Sequence, residues 1–383
     1  MLDVPPTAST GLAELDAALG GLYWGDNVVW EIEEGASLAP FVAAVAASRS
    51  VYDFAAFVSF AEEPRAVAER LDHDIEVLDA RLGAPLAQPG PLLNAVRQGC
   101  LRSQRPALLV FDSLDRASVS WGTSTTQRFF TRGCPLLLEL GAIAYWSFTP
   151  REHPHAFRRE IENVTQCVLE IGADRLRIVK AEGRPPGIPG SVFRYRVEDG
   201  RPELAEAPAA ARLSSALRAL RLQRRLNQSE LARIAGVSPS AISQAERGQR
   251  GLSLETLLAL AGRLGITLDQ LLAGEVAPGY RLARRAHYPR RRPEAPLPLL
   301  DDPSAGLRAY LIRLPPGASS SPTLAHKGAE LVAVASGLVQ VVMPAGSPVL
   351  RQGETLLAGE SGITAWKNLG EGEALVFWIL RDA

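Results

Sequence analysis

The stretch from Asn227 to Arg247 constrains this 383-residue chain more tightly than any other. Asn227-Gln-Ser-Glu230 has capping-box spacing: the asparagine side chain can accept an amide bond, and the glutamate can return one. A helix is therefore predicted to start there, with Leu231, Ala232, Ile234, Ala235 and Val237 as its apolar face. Gly236 allows a tight turn, and Ser238-Pro239 provides an N-cap followed by proline at the first helical position. A second helix follows from Pro239 to about Arg247, with Ala241, Ile242 and Ala245 alternating with exposed Ser240, Ser243 and Gln244. Small and polar residues on that face let a helix enter a major groove, where glutamine can pair bidentately with adenine and serine with several base edges.

Charge supports the same reading. The chain as a whole carries a formal charge of −1, but residues 212–274 hold nine arginines against four acids, leaving the remainder at −6. A small basic module in an acidic chain is the electrostatic footprint of a segment that meets phosphate. Leu217-Arg-Ala-Leu-Arg-Leu-Gln-Arg-Arg-Leu-Asn-Gln-Ser-Glu-Leu-Ala-Arg-Ile-Ala-Gly-Val-Ser-Pro-Ser-Ala-Ile-Ser-Gln-Ala-Glu-Arg-Gly248, with the helical run from Ser253 to Leu272, closely resembles the five-helix domain of the XRE family, the Cro and lambdoid repressor type. The resemblance implies that Gln228, Ser238, Pro239, Ser240 and Gln244 face bases. It implies phosphate contacts for Asn227, Arg247 and Arg250, and a structural ion pair between Arg221 and Glu246.

Two other textures flank this module. Over residues 1–206, β-like runs (27–32, 55–60, 107–111, 142–148, 166–171, 176–180 and 191–197) alternate with helical stretches, the pattern of a mostly parallel sheet covered by helices. Residues 202–211, rich in Ala, Glu and Pro, read as a linker, and residues 207–276 as the helical domain. From 277 to 383, short apolar runs separated by Gly and Pro read as a β-sandwich or barrel.

Thr10-Gly-Leu through Gly25, Ser59-Phe-Ala-Glu-Glu-Pro64, Leu109-Val-Phe-Asp-Ser-Leu114 and Arg177-Ile-Val-Lys-Ala-Glu-Gly183 resemble segments of the RecA-like domain of the KaiC and RadA families. That resemblance places Ile32, Ser37, Leu38 and Ala39 where a working P-loop needs its two glycines, lysine and hydroxyl; only Gly35 survives. Glu182 takes the place of an arginine that reaches a neighbour's nucleotide. The expectation is a degenerate, non-hydrolysing assembly module whose vestigial nucleotide site retains Gly35 and Asp112. The latter is either a former magnesium ligand or a cap on the turn that follows it. His153-Pro-His155 reads as a surface loop, because a metal needs a third ligand nearby.

The last segment, with Pro316-Gly, His326-Lys-Gly-Ala-Glu330, Leu350-x-x-Gly-Glu and Trp366-Lys-Asn-Leu-Gly370, resembles the cupin domain that follows the helix-turn-helix in many XRE regulators. The resemblance puts its four metal-ligand positions on Leu324, His326, Glu330 and Thr364, and two of these cannot ligate. No metal or cofactor is expected. His326, Glu330 and Trp366 become a candidate effector pocket in an apolar barrel, the other reading being a packed dimerisation barrel in which His326 and Glu330 pair.

Cys100, Cys134 and Cys167, an odd number at long spacings, read as free thiols. Apolar stretches such as 39–47 fall short of the ~18 to 20 residues of a spanning helix, and the N-terminus lacks a secretory pattern, so a cytoplasmic protein with no membrane contact is expected. The whole reads as a three-domain chain: α/β RecA-like, all-α helix-turn-helix, all-β cupin. Its expected function is that of a non-enzymatic transcription regulator, with no catalytic residues, that binds a palindromic duplex as a homodimer or higher homo-oligomer. A small molecule is the candidate effector. The alternative is a RecA/KaiC-like ATPase or a DNA-organising ring or filament scaffold.

Overall fold

A computed structural model describes residues 7–71, 75–103, 106–184, 188–207, 209–273, 282–283, 296–303, 305–322, 328–359 and 362–382. The chain divides into two compact units, with the break after residue 282.

The first unit is built on a nine-stranded sheet. Its strands are β1 (Asn27–Ile32), β2 (Phe54–Ser59), β3 (Glu76–Asp79), β4 (Ala107–Phe111), β5 (Ile143–Phe148), β6 (Cys167–Ile171), β7 (Arg175–Ala181), β8 (Val192–Glu198) and β9 (Arg201–Glu206), in the spatial order 3-2-4-5-1-6-7-8-9. The first six strands of that order pair in parallel and the last three are added antiparallel. Strands β1, β4 and β5 are buried along nearly their whole length, as strands covered on both faces are; β4 is a continuous apolar run, while β1 carries buried Asn27 and Glu31. The covering helices are α1 (Ala13–Leu19), α2 (Ala39–Ala47), α3 (Pro64–Leu71), α4 (Pro89–Arg102), α5 (Leu114–Trp121), α6 (Thr123–Glu139) and α7 (His155–Val164). The connection from β1 to β2 passes over β5 and β4, whereas that from β5 to β6 passes over β1. The winding direction therefore reverses between β1 and β5, which opens a crevice at their carboxyl ends. The mostly parallel sheet covered by helices is the architecture expected from the sequence of this segment.

Residues 202–211 are not a linker. Glu198 pairs with Arg201 across a two-residue turn, Asp199-Gly200, and Pro202 and Leu204 of β9 are buried. Both turn residues have positive φ, 49° and 74°, the geometry that makes Asp-Gly the preferred tight hairpin turn. Pro202 is tolerated because β9 is the edge strand. After β9 the chain enters five helices: α8 (Ala209–Gln223), α9 (Gln228–Ala235), α10 (Pro239–Glu246), α11 (Leu254–Leu264) and α12 (Leu268–Ala273). They close round Leu217, Leu220, Leu231, Ile242, Leu257 and Leu271.

The second unit consists of two antiparallel sheets. One is ordered β10 (Leu297–Asp302), β11 (Leu307–Leu314), β18 (Ala374–Asp382), β13 (Gly328–Ser336), β16 (Thr355–Ala358). The other is β12 (Ser319–Ser320), β17 (Ala365–Asn368), β14 (Leu338–Val342), β15 (Val349–Arg351). Val332, Val334, Val339, Val341, Trp366 and Trp378 fill the space between them.

Candidate nucleic-acid interface

The helical module is fixed from its caps inward. Asn227 Oδ1 accepts from the Glu230 amide at 2.8 Å, and the Asn227 amide donates to Glu230 Oε2 at 2.7 Å, so both halves of the capping box form. Gly236 ends α9 in the left-handed region (φ 74°). Arg263 of α11 closes that end by donating to the Ile234 carbonyl at 2.6 Å, a contact without a local spacing signal because it joins residues 29 apart. Ser238 caps α10 by accepting from the Ala241 amide, and its hydroxyl lies 2.9 Å from that of Ser240.

Between α8 and α10, Arg221 donates to both carboxylate oxygens of Glu246, at 2.5 and 3.1 Å, and to the Leu226 carbonyl at 3.1 Å. The two side chains are 14% and 4% exposed. Gln228 donates its amide to the same carboxylate at 2.9 Å. Its Nε2 is thus engaged in holding α9 against α10, a role that the base-facing expectation did not include.

The outer side of α10 differs residue by residue. Ser238, Pro239, Ser240, Arg247 and Arg250 are exposed; Ser243 and Gln244, expected to be exposed, are half-buried. The Gln244 amide has no hydrogen-bond partner within the described residues. Arg247 donates to the Ser243 carbonyl at 3.2 Å, lying along the last turn of α10 with its charge in solvent. Asn227 is exposed at the start of α9.

The crevice between β1 and β5 is built differently from a phosphate cradle. Gly35 lies in an exposed turn with φ 84°, but Leu38 packs on the apolar core under the sheet, and its carbonyl accepts the amides of Phe41 and Val42. Pro40 in the first turn of α2 removes an amide that an anion could use. The same loop carries Glu33, paired with Arg175, and Glu34, paired with Arg151. Lys180, on the late strand β7, donates to the Glu162 carbonyl of α7. Asp112 does not cap the turn after it; Ser113 does, accepting the Asp115 and Arg116 amides. The Asp112 carboxylate instead accepts the Phe60 amide from the loop after β2, and burial raises its pKa. His153 is likewise no surface residue. Its side chain is 2% exposed, bonded to Asp115 at 2.7 Å and stacked on Phe157, because the 149–154 loop folds back on the end of β5. Within the described residues no group of three or more His, Cys, Asp or Glu side chains could hold a metal ion.

In the second unit Glu330 is buried and accepts from Trp378 Nε1 at 2.9 Å, a partner the sequence reading did not find. Trp366 is fully buried edge-on to Trp378, and its Nε1 has no partner among the described residues. Leu324 and His326 lie outside the described residues. Thr364 donates its hydroxyl to the Val342 carbonyl at 3.0 Å.

Residues 217–271 match the family HTH_3, helix-turn-helix. This segment is an XRE-type helix-turn-helix domain. No curated protein matches the chain. Among solved structures the chain is similar to an HTH_3-family transcriptional regulator from Vibrio cholerae, 21% identical over 45% of this chain and 97% of that one, with a TM-score of 0.22. It is also similar to the cupin domain of an XRE-family transcriptional regulator from Enterobacter cloacae, 20% identical over 24% and 99% of the two chains, TM-score 0.23. A third is a KaiC-like protein from Pyrococcus horikoshii, 13% identical over 53% and 100%, TM-score 0.42.

Within the helix-turn-helix domain, α9 is the first helix of the motif and α10 the second. Its outer face carries small side chains at Ser238, Pro239 and Ser240, the half-buried Gln244 amide and two exposed guanidinium groups at Arg247 and Arg250. That combination suits base-edge reading beside phosphate contact. No helix within the described residues is long and apolar enough to cross a membrane.

Proposed function

We propose that the chain is a sequence-specific transcription regulator that reads a palindromic operator as a dimer or higher oligomer. The observation that carries this reading is the α10 face: polar side chains held by Ser238 and the Arg221–Glu246 pair, with Gln244 unpaired and arginines at its far end. One such domain reads only a few base pairs, so a two-fold repeat is the ordinary route to useful specificity.

The α/β unit serves as a non-hydrolysing assembly module, since Leu38 packs inward and Pro40, Glu33 and Glu34 leave no phosphate cradle. The cupin-like barrel takes a small-molecule effector. The buried Trp366 Nε1, an unsatisfied donor one ring from the Trp378–Glu330 bond, supports a polar ligand there.

Selection of bound duplexes from a random pool tests the reading. The expected product is a two-fold site with half-sites about one helical turn apart; a pool returned without sequence bias would overturn it.

A further inference from the structure

Pro150, Arg151 and His153 of the 149–154 loop, with His155 and Arg158 of α7, line a cavity of about 290 Å³ in the α/β unit. Apart from the proline, each of these side chains is a cation or an imidazole that can become one. The cavity belongs to α7, which packs on the Val29 side of the sheet, whereas α2 with its Leu38–Pro40 start packs on the Val28 and Trp30 side. It is therefore a different place from the degenerate P-loop.

Three features of the lining point to an anion. His153 Nε2 lies 2.7 Å from Asp115 Oδ1, a carboxylate that accepts, so this nitrogen bears the hydrogen. The other ring nitrogen, Nδ1, is buried with no hydrogen-bond partner among the described residues, an exception to the rule that buried polar atoms are satisfied. Helix α7 starts after Pro154, which offers no side-chain cap, so the His155 and Ala156 amides are open among the described residues at the positive end of the helix. Arg158 uses Nε and Nη2 on Glu31 and Glu162 and keeps Nη1 free among the described residues. The acids nearby are each turned to one of these cations: Glu34 to Arg151 in an exposed pair, Glu31 and Glu162 to Arg158, Asp115 to His153. Burial lifts the Glu31 carboxyl up to about 8, so near neutral pH it leaves Arg158 largely charged toward the cavity.

We propose that this cavity binds a small phosphorylated molecule, its phosphate monoester group against His153, Arg158 and the start of α7, with Arg151 and His155 at the rim. A phosphate monoester, with a second pKa of about 6, can give a proton to a bare Nδ1 or take one from a charged ring, whereas sulfate can only take. The volume is close to the ~300 Å³ at which small-molecule sites begin, which leaves room for an organic part beyond the phosphoryl group. A DNA phosphodiester does not fit this role, because the His153 side chain is only 2% exposed. The inference goes beyond the transcription-regulator reading and gives the α/β unit a ligand of its own.

The test is calorimetric titration of the full chain at constant ionic strength with inorganic phosphate, glycerol phosphate and sulfate, alongside melting curves. The proteins are wild type, Arg151→Ala, Arg158→Gln and, as a control on α3, Arg65→Ala. Arg151 is exposed, so its variant keeps the fold even if Arg158→Gln loosens α7. One glycerol phosphate should bind per chain, more tightly than phosphate, with sulfate weaker than both, and the ligand should raise the melting midpoint. Arg151→Ala and Arg158→Gln should each weaken binding roughly 10-fold or more, as when a charged hydrogen bond is lost, and Arg65→Ala should leave it unchanged. The proposal would be overturned by no saturable binding at millimolar ligand, by wild-type affinity in Arg151→Ala, or by sulfate binding as tightly as phosphate. Variants that bind glycerol phosphate normally but lose affinity for a scrambled duplex would make the cavity part of a DNA path and overturn it as well.

Discussion

Replacing Glu246 by alanine should loosen the helix-turn-helix domain more than any single surface change in it. The carboxylate receives two bonds from Arg221 and one from Gln228, and the ion pair is nearly excluded from water. Its removal leaves the Arg221 guanidinium with only the Leu226 carbonyl and strands the Gln228 amide. Breaking one partner of such a buried pair costs about 3 to 5 kcal/mol. That is a large share of what the small core around Leu231, Ile242 and Leu260 can supply. The assay is hydrogen exchange in the full chain on peptides spanning 228–246, which reads the opening of this unit alone. Protection should fall by about two to three and a half orders of magnitude. The double variant Arg221→Met with Glu246→Leu should recover most of it, because an apolar pair of similar volume is often neutral. If Glu246→Ala kept protection within a factor of about two of wild type, the reasoning would be refuted: the pair would then be no more than a solvated surface contact.

The chain should turn over no ATP above background; a magnesium-dependent rate lost in Asp112→Ala would show that the crevice beside Leu38 binds nucleotide productively. A pH effect is expected in the same unit. Burial outweighs Arg158 and lifts the Glu31 carboxyl up to about 8, so between the ordinary carboxyl range and that value the folded chain holds a proton that the unfolded chain has lost. Stability should therefore fall as pH rises through this window, by at most about 1.4 kcal/mol per unit. Glu31→Gln should flatten the slope in denaturant melts, and an unaltered slope would place its origin elsewhere.

The strong local signals in the sequence found most of the fold. Caps at Asn227 and Ser238, the turn at Gly236 and the largely apolar strands β1, β4 and β5 are legible because each is determined by neighbours within a few residues. Strand β3 is not, since four residues are too few to show a period. Strand β9 was misread because its Ala, Glu and Pro composition concealed the Asp199-Gly200 hairpin turn, which was present as a signal. At the site, the polar face of α10 could be read directly, while the Gln228–Glu246 bond, the Arg263 cap on α9 and the Trp378–Glu330 bond each join residues at least 18 apart and leave no periodic trace. His153 reads as a surface residue because nothing local marks the fold-back onto Asp115.

The central claim, that α10 reads sequence, is tested most directly by a fluorescence-anisotropy titration of Gln244→Ala and Arg247→Ala. Each variant is measured on the selected duplex and on a scrambled one at several salt concentrations. Gln244→Ala should lose about 1 to 3 kcal/mol on the selected duplex and almost nothing on the scrambled one, because a base-edge bond goes and no phosphate contact does. Arg247→Ala should weaken both about equally and reduce the salt dependence by about one ion. Equal losses for the two variants on both duplexes would contradict the account, for helix α10 would then touch DNA without reading it.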